Sequence, residues 1–150
     1  MDERPRLAIG SDHAGRELKE KLKRYLAGRG YQVDDVGPYS PEPVDYPDFG
    51  SQVALLVSSG KAGRGILICG SGIGMSITAN RYPGVRAALC LIPELARLSR
   101  EHNDSNILVL AARFTEAALA EEITGVWLDT AFSGDERHAR RLAKIDSIKS

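Results

Sequence analysis

The chain has 150 residues, a length typical of one domain with its own hydrophobic core, and we expect residues 1–150 to form a single domain. Lys and Arg together number 20 and balance 20 Asp and Glu, which argues against a basic nucleic-acid-binding surface. Two cysteines give no disulfide framework, and no apolar stretch resembles a signal peptide or a membrane span, so we expect a cytoplasmic protein.

Short apolar runs alternate along the chain with longer segments of helical periodicity. The apolar runs predict five strands, over residues 6–10, 31–36, 65–69, 85–91 and 106–111. The periodic segments predict helices around residues 17–25, 53–57, 75–80, after Pro93, along 119–127 and over 135–148. Thr115 is expected to cap the fifth helix, and residues 37–48, with four prolines, are expected to form an irregular loop.

This regular alternation predicts the fold class. It is an α/β fold, a three-layer α/β/α Rossmann-like arrangement with a five-stranded parallel sheet and helices on both faces. Ligands of such sheets bind beyond the carboxyl ends of the strands. The segments of interest are therefore those that directly follow a strand, which are residues 11–13, 69–74 and 112–113.

The strongest local signal is the sequence CGSGIG, residues 69–74, at a predicted strand-to-helix turn. Its G-x-G-x-G spacing differs from the dinucleotide and triphosphate loops. Alternating glycines let backbone N–H groups approach an anion, and the following helix N-terminus adds positive potential. The alternative is a tight turn that simply needs small residues.

The two cysteines differ in their surroundings. Cys69 ends a strand beside the glycine loop, where oriented N–H groups favour a reactive thiolate that acts as base or nucleophile. Taken alone, Cys69 also fits a small, buried apolar side chain. Cys90 lies within a predicted strand without polar neighbours and is interpreted as structural.

Three further groups of polar residues border the predicted elements. Asp12 and His13 follow the first strand, where they either contact a substrate or, in the case of Asp12, cap a helix. His102 opens the polar run HNDSN, which is either turn chemistry or includes a general acid. Arg137 and Arg141 share one helix face, which suits a phosphate dianion or a solvated basic surface.

Metal and hydrolase chemistry find little support in the sequence. The three histidines lack metal-ligand spacing, and the chain has no C-x-x-C pair. No G-x-S-x-G elbow is present, which argues against a serine hydrolase. We therefore expect neither a metal nor a cofactor.

Taken together, these motifs resemble the type B ribose-5-phosphate isomerases, a family that includes galactose 6-phosphate and allose 6-phosphate isomerases. The matching segments are residues 10–15 (GSDHAG), 45–47 (DYP), 68–74 (ICGSGIG), 99–104 (SREHND) and 134–141. The resemblance covers essentially the whole chain. It implies metal-free interconversion of an aldose and a ketose phosphate through an enediolate. Ribose 5-phosphate is the expected substrate, and a six-carbon sugar phosphate is the alternative.

The resemblance also assigns roles to residues. Cys69 would be the base that moves a proton between C2 and C1, because Met75 stands where another branch of the family has a glutamate base. His102 would open the furanose ring, with Asp12 assisting at the ring hydroxyls, and Ser71 would add its hydroxyl to the oxyanion-binding loop. Residues expected to contact the substrate and its phosphate are His13, Tyr46, Gly70, Ser71, Gly72, Ile73, Gly74, Asn103, Arg113, Arg137 and Arg141.

In the family that this chain resembles, the site lies between two subunits. His102, Asn103 and the late arginines would then serve the Cys69 of a neighbour, and the C-terminal helix would pack on that partner subunit. The expected assembly is a homodimer, with a tetramer as the alternative, and the expected ligand is a sugar phosphate rather than nucleic acid or membrane. A non-catalytic phosphosugar sensor and a redox protein that uses Cys69 are the rival classes.

Overall fold

The computed structural model describes residues 4–148, and its strands form one parallel sheet. The strands are β1 (Leu7–Ser11), β2 (Val33–Asp35), β3 (Arg64–Cys69), β4 (Ala87–Leu89) and β5 (Ile107–Ala111). Their order in the sheet is β2-β1-β3-β5-β4, and every neighbouring pair is parallel. The predicted parallel sheet of five strands is confirmed.

Helices cover both faces of this sheet. They are α1 (Arg16–Gly28), α2 (Tyr46–Ser58), α3 (Ile73–Ala79), α4 (Pro93–Asn103), α5 (Ala117–Asp129) and α6 (Glu136–Asp146). Side chains of β3 alternate between two cores, because Ile66 and Ile68 pack with α1, α4 and α5, whereas Leu67 and Cys69 pack with α2 and α3. The three-layer prediction is thereby confirmed.

Some predicted boundaries differ from the observed ones. The edge strands β2 and β4 have three residues each and are shorter than the strands predicted over residues 31–36 and 85–91, because an edge strand pairs on one side only. The irregular loop predicted to reach residue 48 ends at Asp45, and Tyr46 already belongs to α2. Pro47 fits into the first helical turn because its missing N–H would have no acceptor within the helix.

The prediction that Thr115 caps α5 was wrong. The N-cap residue is Glu116, which makes no side-chain capping bond. Thr115 is buried, and its Oγ1 has no hydrogen-bond partner among the residues that the structure describes. Its side chain therefore serves packing at the end of β5 rather than the helix start.

A fully buried lysine ties α1 to the loop that follows β2. Lys19 Nζ lies 2.8 Å from Asp35 Oδ1 and donates to the carbonyl of Pro38 at 2.7 Å. Lys23 Nζ lies 2.8 Å from the other oxygen of the same carboxylate. Burial raises the pKa of Asp35, but hydrogen bonds from both lysines and from the Gly37 N–H outweigh it, so the pKa lies below its ordinary value. The base of the loop is therefore held by charge-assisted bonds.

Replacing Asp35 with asparagine is expected to lower the free energy of unfolding by about 3 kcal/mol near neutral pH, because the buried Lys19 ammonium loses its counter-charge. Since the pKa of Asp35 is lowered by folding, its carboxylate stabilises the fold above the pKa of the unfolded chain. That contribution is lost as the pH falls through the folded value. The gap between wild type and variant should therefore narrow below about pH 4.

Urea denaturation from neutral to acid pH measures this gap. Asp34→Asn is the matched control, because Asp34 pairs with Arg6 at the surface, where ion pairs contribute little. Equal losses in both variants, or a gap for Asp35→Asn that does not depend on pH, would contradict the buried-pair explanation.

Candidate active site

The segments after β1, β3 and β5 meet at the carboxyl edge of the sheet, because these three strands are neighbours. The N–H of Asp12 donates to the carbonyl of Ile68 at 3.2 Å. The N–H of Arg113 donates to the carbonyl of Gly70 at 3.0 Å. These backbone bonds hold the ends of all three strands in a fixed relation, so their side chains form one cluster.

The glycine loop joins β3 to α3 in a conformation that requires glycine. Gly72 has a φ of +77° and precedes the first residue of α3. A Cβ at Gly72 would lie 2.4 Å from Cδ1 of Leu89, so a side chain does not fit. Ser71 Oγ accepts a hydrogen bond from the N–H of Ile73 at 3.3 Å. The other N–H groups of the first turn have no acceptor within their own helix and can therefore bind an anion.

Two other glycines of the loop let predicted substrate-binding side chains lie against the backbone. A Cβ at Gly70 would lie 3.2 Å from Nε of Arg113. A Cβ at Gly74 would lie 2.4 Å from ring atom Cε1 of Tyr46. The guanidinium and the phenol ring therefore border the glycine loop from two sides. Sequence spacing alone could not place these side chains there, because they come from distant elements.

Cys69 is almost fully buried at the end of β3, on the face that packs against α2 and α3. Cys90 belongs to the core on the opposite face, and β5 lies between the two strands concerned. Two strand spacings amount to about 10 Å, beyond the reach of a disulfide. Burial raises the pKa of the Cys90 thiol to about 11, which makes it unreactive. The fold thus excludes a bond between Cys69 and Cys90.

Asp12 and His13 have clear local partners. Asp12 is buried, and its Oδ1 accepts from the N–H of Gly15 at 2.9 Å, so this side chain does stabilise the turn before α1. The Nδ1 atom of His13 accepts from the N–H of Val44 at 3.1 Å. A neutral imidazole that accepts at Nδ1 carries its proton on Nε2. His13 therefore presents a hydrogen-bond donor to an anion at this edge.

His102 and Asn103 lie at the opposite, amino-terminal edge of the sheet, where the parallel strands begin. They form the last turn of α4 rather than a loop, which corrects the interpretation of the polar run as one connection. From there β5 begins at Ile107 and runs through Ala111 toward Cys69. Five strand residues span about 16 Å, so His102 and Asn103 cannot reach the Cys69 of their own chain.

The remaining residues of that polar run are structural. Asp104 adopts a left-handed conformation with a φ of 45° and ends α4. Ser105 Oγ accepts from Nε1 of Trp127 at 2.8 Å, and Asn106 Oδ1 accepts from the N–H of Arg86 at 2.7 Å. Turn chemistry therefore explains the second half of the run but not the first.

Helix α6 brings Arg137, His138 and Arg141 to the edge of the sheet that carries His102. Arg137 and Arg141 are exposed on α6, and the side chain of Asp135 caps its first turn. Between the arginines, the buried ring of His138 stacks on His102 with a centroid distance of 4.3 Å and an interplanar angle of 16°. Sequence reasoning gave His138 no role. The available signal was the spacing of four residues between His138 and the apolar Leu142, which places both on one face of the helix.

Two features are absent from residues 4–148, a cluster of metal ligands and a membrane-spanning helix. No group of three or more His, Cys, Asp or Glu side chains in this range is arranged to hold a metal ion. No helix in the same range is long and apolar enough to cross a bilayer. Arg113 borders the glycine loop at the carboxyl edge, and Arg137 and Arg141 lie on α6 beside His102 and His138.

The chain is similar to proteins of one family. A sequence profile of the ribose/galactose isomerases matches residues 7–145. Ribose-5-phosphate isomerase B of Escherichia coli is 44% identical over 144 residues, which are 96% of each chain. The structure of a ribose 5-phosphate isomerase from Thermotoga maritima is 54% identical, with a TM-score of 0.94 over 97% of this chain and 100% of that one. Ribose-5-phosphate isomerase B of Mycoplasma genitalium, solved with bound ribulose 5-phosphate, is 38% identical, with a TM-score of 0.91 over 94% and 93%.

This chain belongs to the ribose/galactose isomerase family, as its motifs predicted. It is therefore an enzyme, of the aldose–ketose isomerase class, built on a Rossmann-like α/β fold. The glycine loop, the buried cysteine at the strand end and the bordering cations suit that chemistry, because isomerisation creates an oxyanion beside a proton-transfer base.

Proposed function

We propose that the protein interconverts ribose 5-phosphate and ribulose 5-phosphate without a metal or cofactor, using Cys69 as the base. The observation that carries the proposal is the placement of Cys69 directly before a glycine loop bordered by Arg113 and Tyr46. The matched relatives from Escherichia coli and Thermotoga maritima bear the name of this activity, which supports the choice of substrate.

The proton balance of the reaction fits these groups. The Cys69 thiolate takes the proton from C2 of the open-chain aldose, and the electron pair moves onto O1 to form an enediolate. N–H groups of residues 70–74 stabilise that negative charge. The thiol then returns the proton to C1 as another proton moves from O2 to O1. Ser71 is suited to that second transfer, because its Oγ accepts from Ile73 and leaves its own O–H free to donate.

The phosphate group requires cations at a distance from the reacting carbons. Arg113 at the glycine loop and the Nε2–H of His13 supply donors at the carboxyl edge. Arg137 and Arg141 complete the phosphate site from a partner subunit, since they lie with His102 at the opposite edge. Guanidinium groups suit this task because they bind phosphate oxygens in pairs.

A second copy of the chain is needed to complete the proposed site. His102, as the ring-opening acid, and Asn103, as a substrate contact, would face the Cys69 of the partner across a two-fold axis. Exposed apolar side chains on the segments that follow β3, β4 and β5 support such a contact; they are Ile73, Ile77, Leu91, Ile92, Leu95 and Phe114. We therefore propose an obligate homodimer with two shared sites. Its free thiols and phosphorylated substrate suit the reducing cytoplasm.

A substrate panel with EDTA present tests the proposal. We expect ribulose 5-phosphate to form from ribose 5-phosphate with a kcat/KM at least about ten-fold above those for allose 6-phosphate and galactose 6-phosphate. A preference for a six-carbon sugar would overturn the substrate but keep the reaction class. Loss of activity with EDTA would overturn metal independence, and tight binding without turnover of any sugar would favour a sensor.

A further inference from the structure

The stacked imidazoles of His102 and His138 join two helices at the edge of the sheet. Their rings lie 4.3 Å apart at an angle of 16°, which is a nearly parallel stack. His138 is 7% exposed, whereas His102 is only half-buried. The His138 ring is thus packed in the interior, whereas the His102 ring remains partly accessible to solvent.

The surroundings of His138 favour its neutral form. Burial lowers its pKa, and the neighbouring His102, Arg137 and Arg141 act in the same direction against the weaker opposing effect of Asp135. Arg137 Nη2 lies 3.5 Å from His138 Nε2. A guanidinium can only donate, so Nε2 is the acceptor in this contact. The lowered pKa of His138 therefore disfavours a stack of two imidazolium charges.

The backbone on either side of this pair is held independently of the rings. Arg100 Nη1 lies 2.7 Å from Asp104 Oδ1, and its Nε donates to the carbonyl of Thr130 at 3.0 Å, which fixes the end of α4. Arg86 donates to the carbonyl of Asn103 at 3.0 Å, and its Nη1 lies 3.2 Å from Asp146 Oδ1 on α6. The helices are thus already joined. What the stack adds is a restraint on the ring plane of His102, whose terminal torsion is otherwise broad.

We propose that His138 is a positioning residue that holds the imidazole of His102 in the plane required to open the furanose ring in the partner's site. The inference rests on the proposed function, because it takes His102 to be the ring-opening acid. General acids depend on close geometry, and small displacements are costly to the rate. A planar side chain at position 138 is then needed for opening the furanose ring and not for the proton transfer between C2 and C1.

The two steps can be measured separately in the assembled enzyme. Ribose 5-phosphate must open before it reacts, whereas ribulose 5-phosphate has its O5 esterified and is already open-chain. Deuterium incorporation at C1 of ribulose 5-phosphate in D2O therefore reports enediolate formation without ring opening. Turnover of ribose 5-phosphate reports both steps.

His138→Leu and His138→Phe form the informative pair, because both fill the space with apolar atoms and only phenylalanine is flat. We expect His138→Leu to lower kcat for ribose 5-phosphate about ten-fold while C1 exchange changes less than about two-fold. His138→Phe should restore most of the ribose 5-phosphate rate. Inhibition by inorganic phosphate should be unchanged in both, since Arg137 and Arg141 remain in place.

Leu142→Ala is the control for simple loosening of α6, because Leu142 is the other buried residue of that helix. It should lower thermal stability without separating the two assays. Equal losses in turnover and exchange for His138→Leu, or a ribose-specific loss in His138→Phe as large as that in His138→Leu, would overturn the inference. A wild-type enzyme without ribose 5-phosphate turnover would instead overturn the proposed function.

Discussion

Cys69→Ala is expected to lower kcat for ribose 5-phosphate at least about 10³-fold, because it removes the base that takes the proton from C2. The glycine loop and the cations remain in the variant, so substrate binding should persist. Deuterium exchange at C1 of ribulose 5-phosphate should be lost together with turnover, because both require the enediolate. Initial rates and exchange measured on the same preparation test the prediction.

Cys90→Ala is the matched control for this substitution. Cys90 is equally buried but lies in the core on the opposite face, and its thiol pKa of about 11 leaves it protonated. We expect near wild-type rates for this variant, with some loss of thermal stability. Substantial activity in Cys69→Ala would remove Cys69 from the proposed role, and equal losses in both variants would point to a packing effect.

A randomly assembled mixture of Cys69→Ala and His102→Ala subunits is expected to recover about a quarter of wild-type activity, although each variant alone is nearly inactive. The reason is the placement of the two side chains at opposite edges of one sheet. In a heterodimer, one site combines the intact Cys69 of one chain with the intact His102 of the other, and the second site lacks both. Random mixing gives about half heterodimers, each with one working site.

The two variants can be co-expressed with different affinity tags and purified through both tags in succession. This heterodimer preparation should reach about half of wild-type activity, because it contains no parent dimers. A mixture of Cys69→Ala with Asp12→Ala is the control, because Asp12 and Cys69 lie at the same edge and cannot complement across the interface. Failure of the His102 mixture to recover activity would show that each site is complete within one chain, or that His102 has no part in it.

Much of the fold could be predicted from the sequence because its cause is local. Continuous apolar runs such as residues 65–69 are typical of strands buried on both faces, and β3 is the central strand of the sheet. The edge strands were predicted too long, since apolar periodicity does not reveal where pairing partners end. Thr115 was assigned as a cap from residue type alone, and tertiary packing buried it instead.

Some features of the candidate site could likewise be predicted from the sequence, and others could not. Residues 69–74 could be singled out because a glycine pattern at a strand end has a direct physical meaning. The contact between His102 and His138 could not be predicted, because it depends on where two helices cross after the chain has folded. Likewise, the packing of Tyr46 on Gly74 joins elements that share no sequence pattern.

The loop over residues 37–45 is fastened near both ends through its backbone. Lys19 binds the carbonyl of Pro38, and His13 binds the N–H of Val44. Neither bond depends on the side chains of residues 40–43, so these residues can be exchanged without loosening the anchors, whereas the Tyr39 ring lies 5.5 Å from Lys19 Nζ. In the proposed enzyme, this arrangement would let substitutions in the loop alter the sugar preference while the proposed phosphate-binding and proton-transfer residues keep their positions.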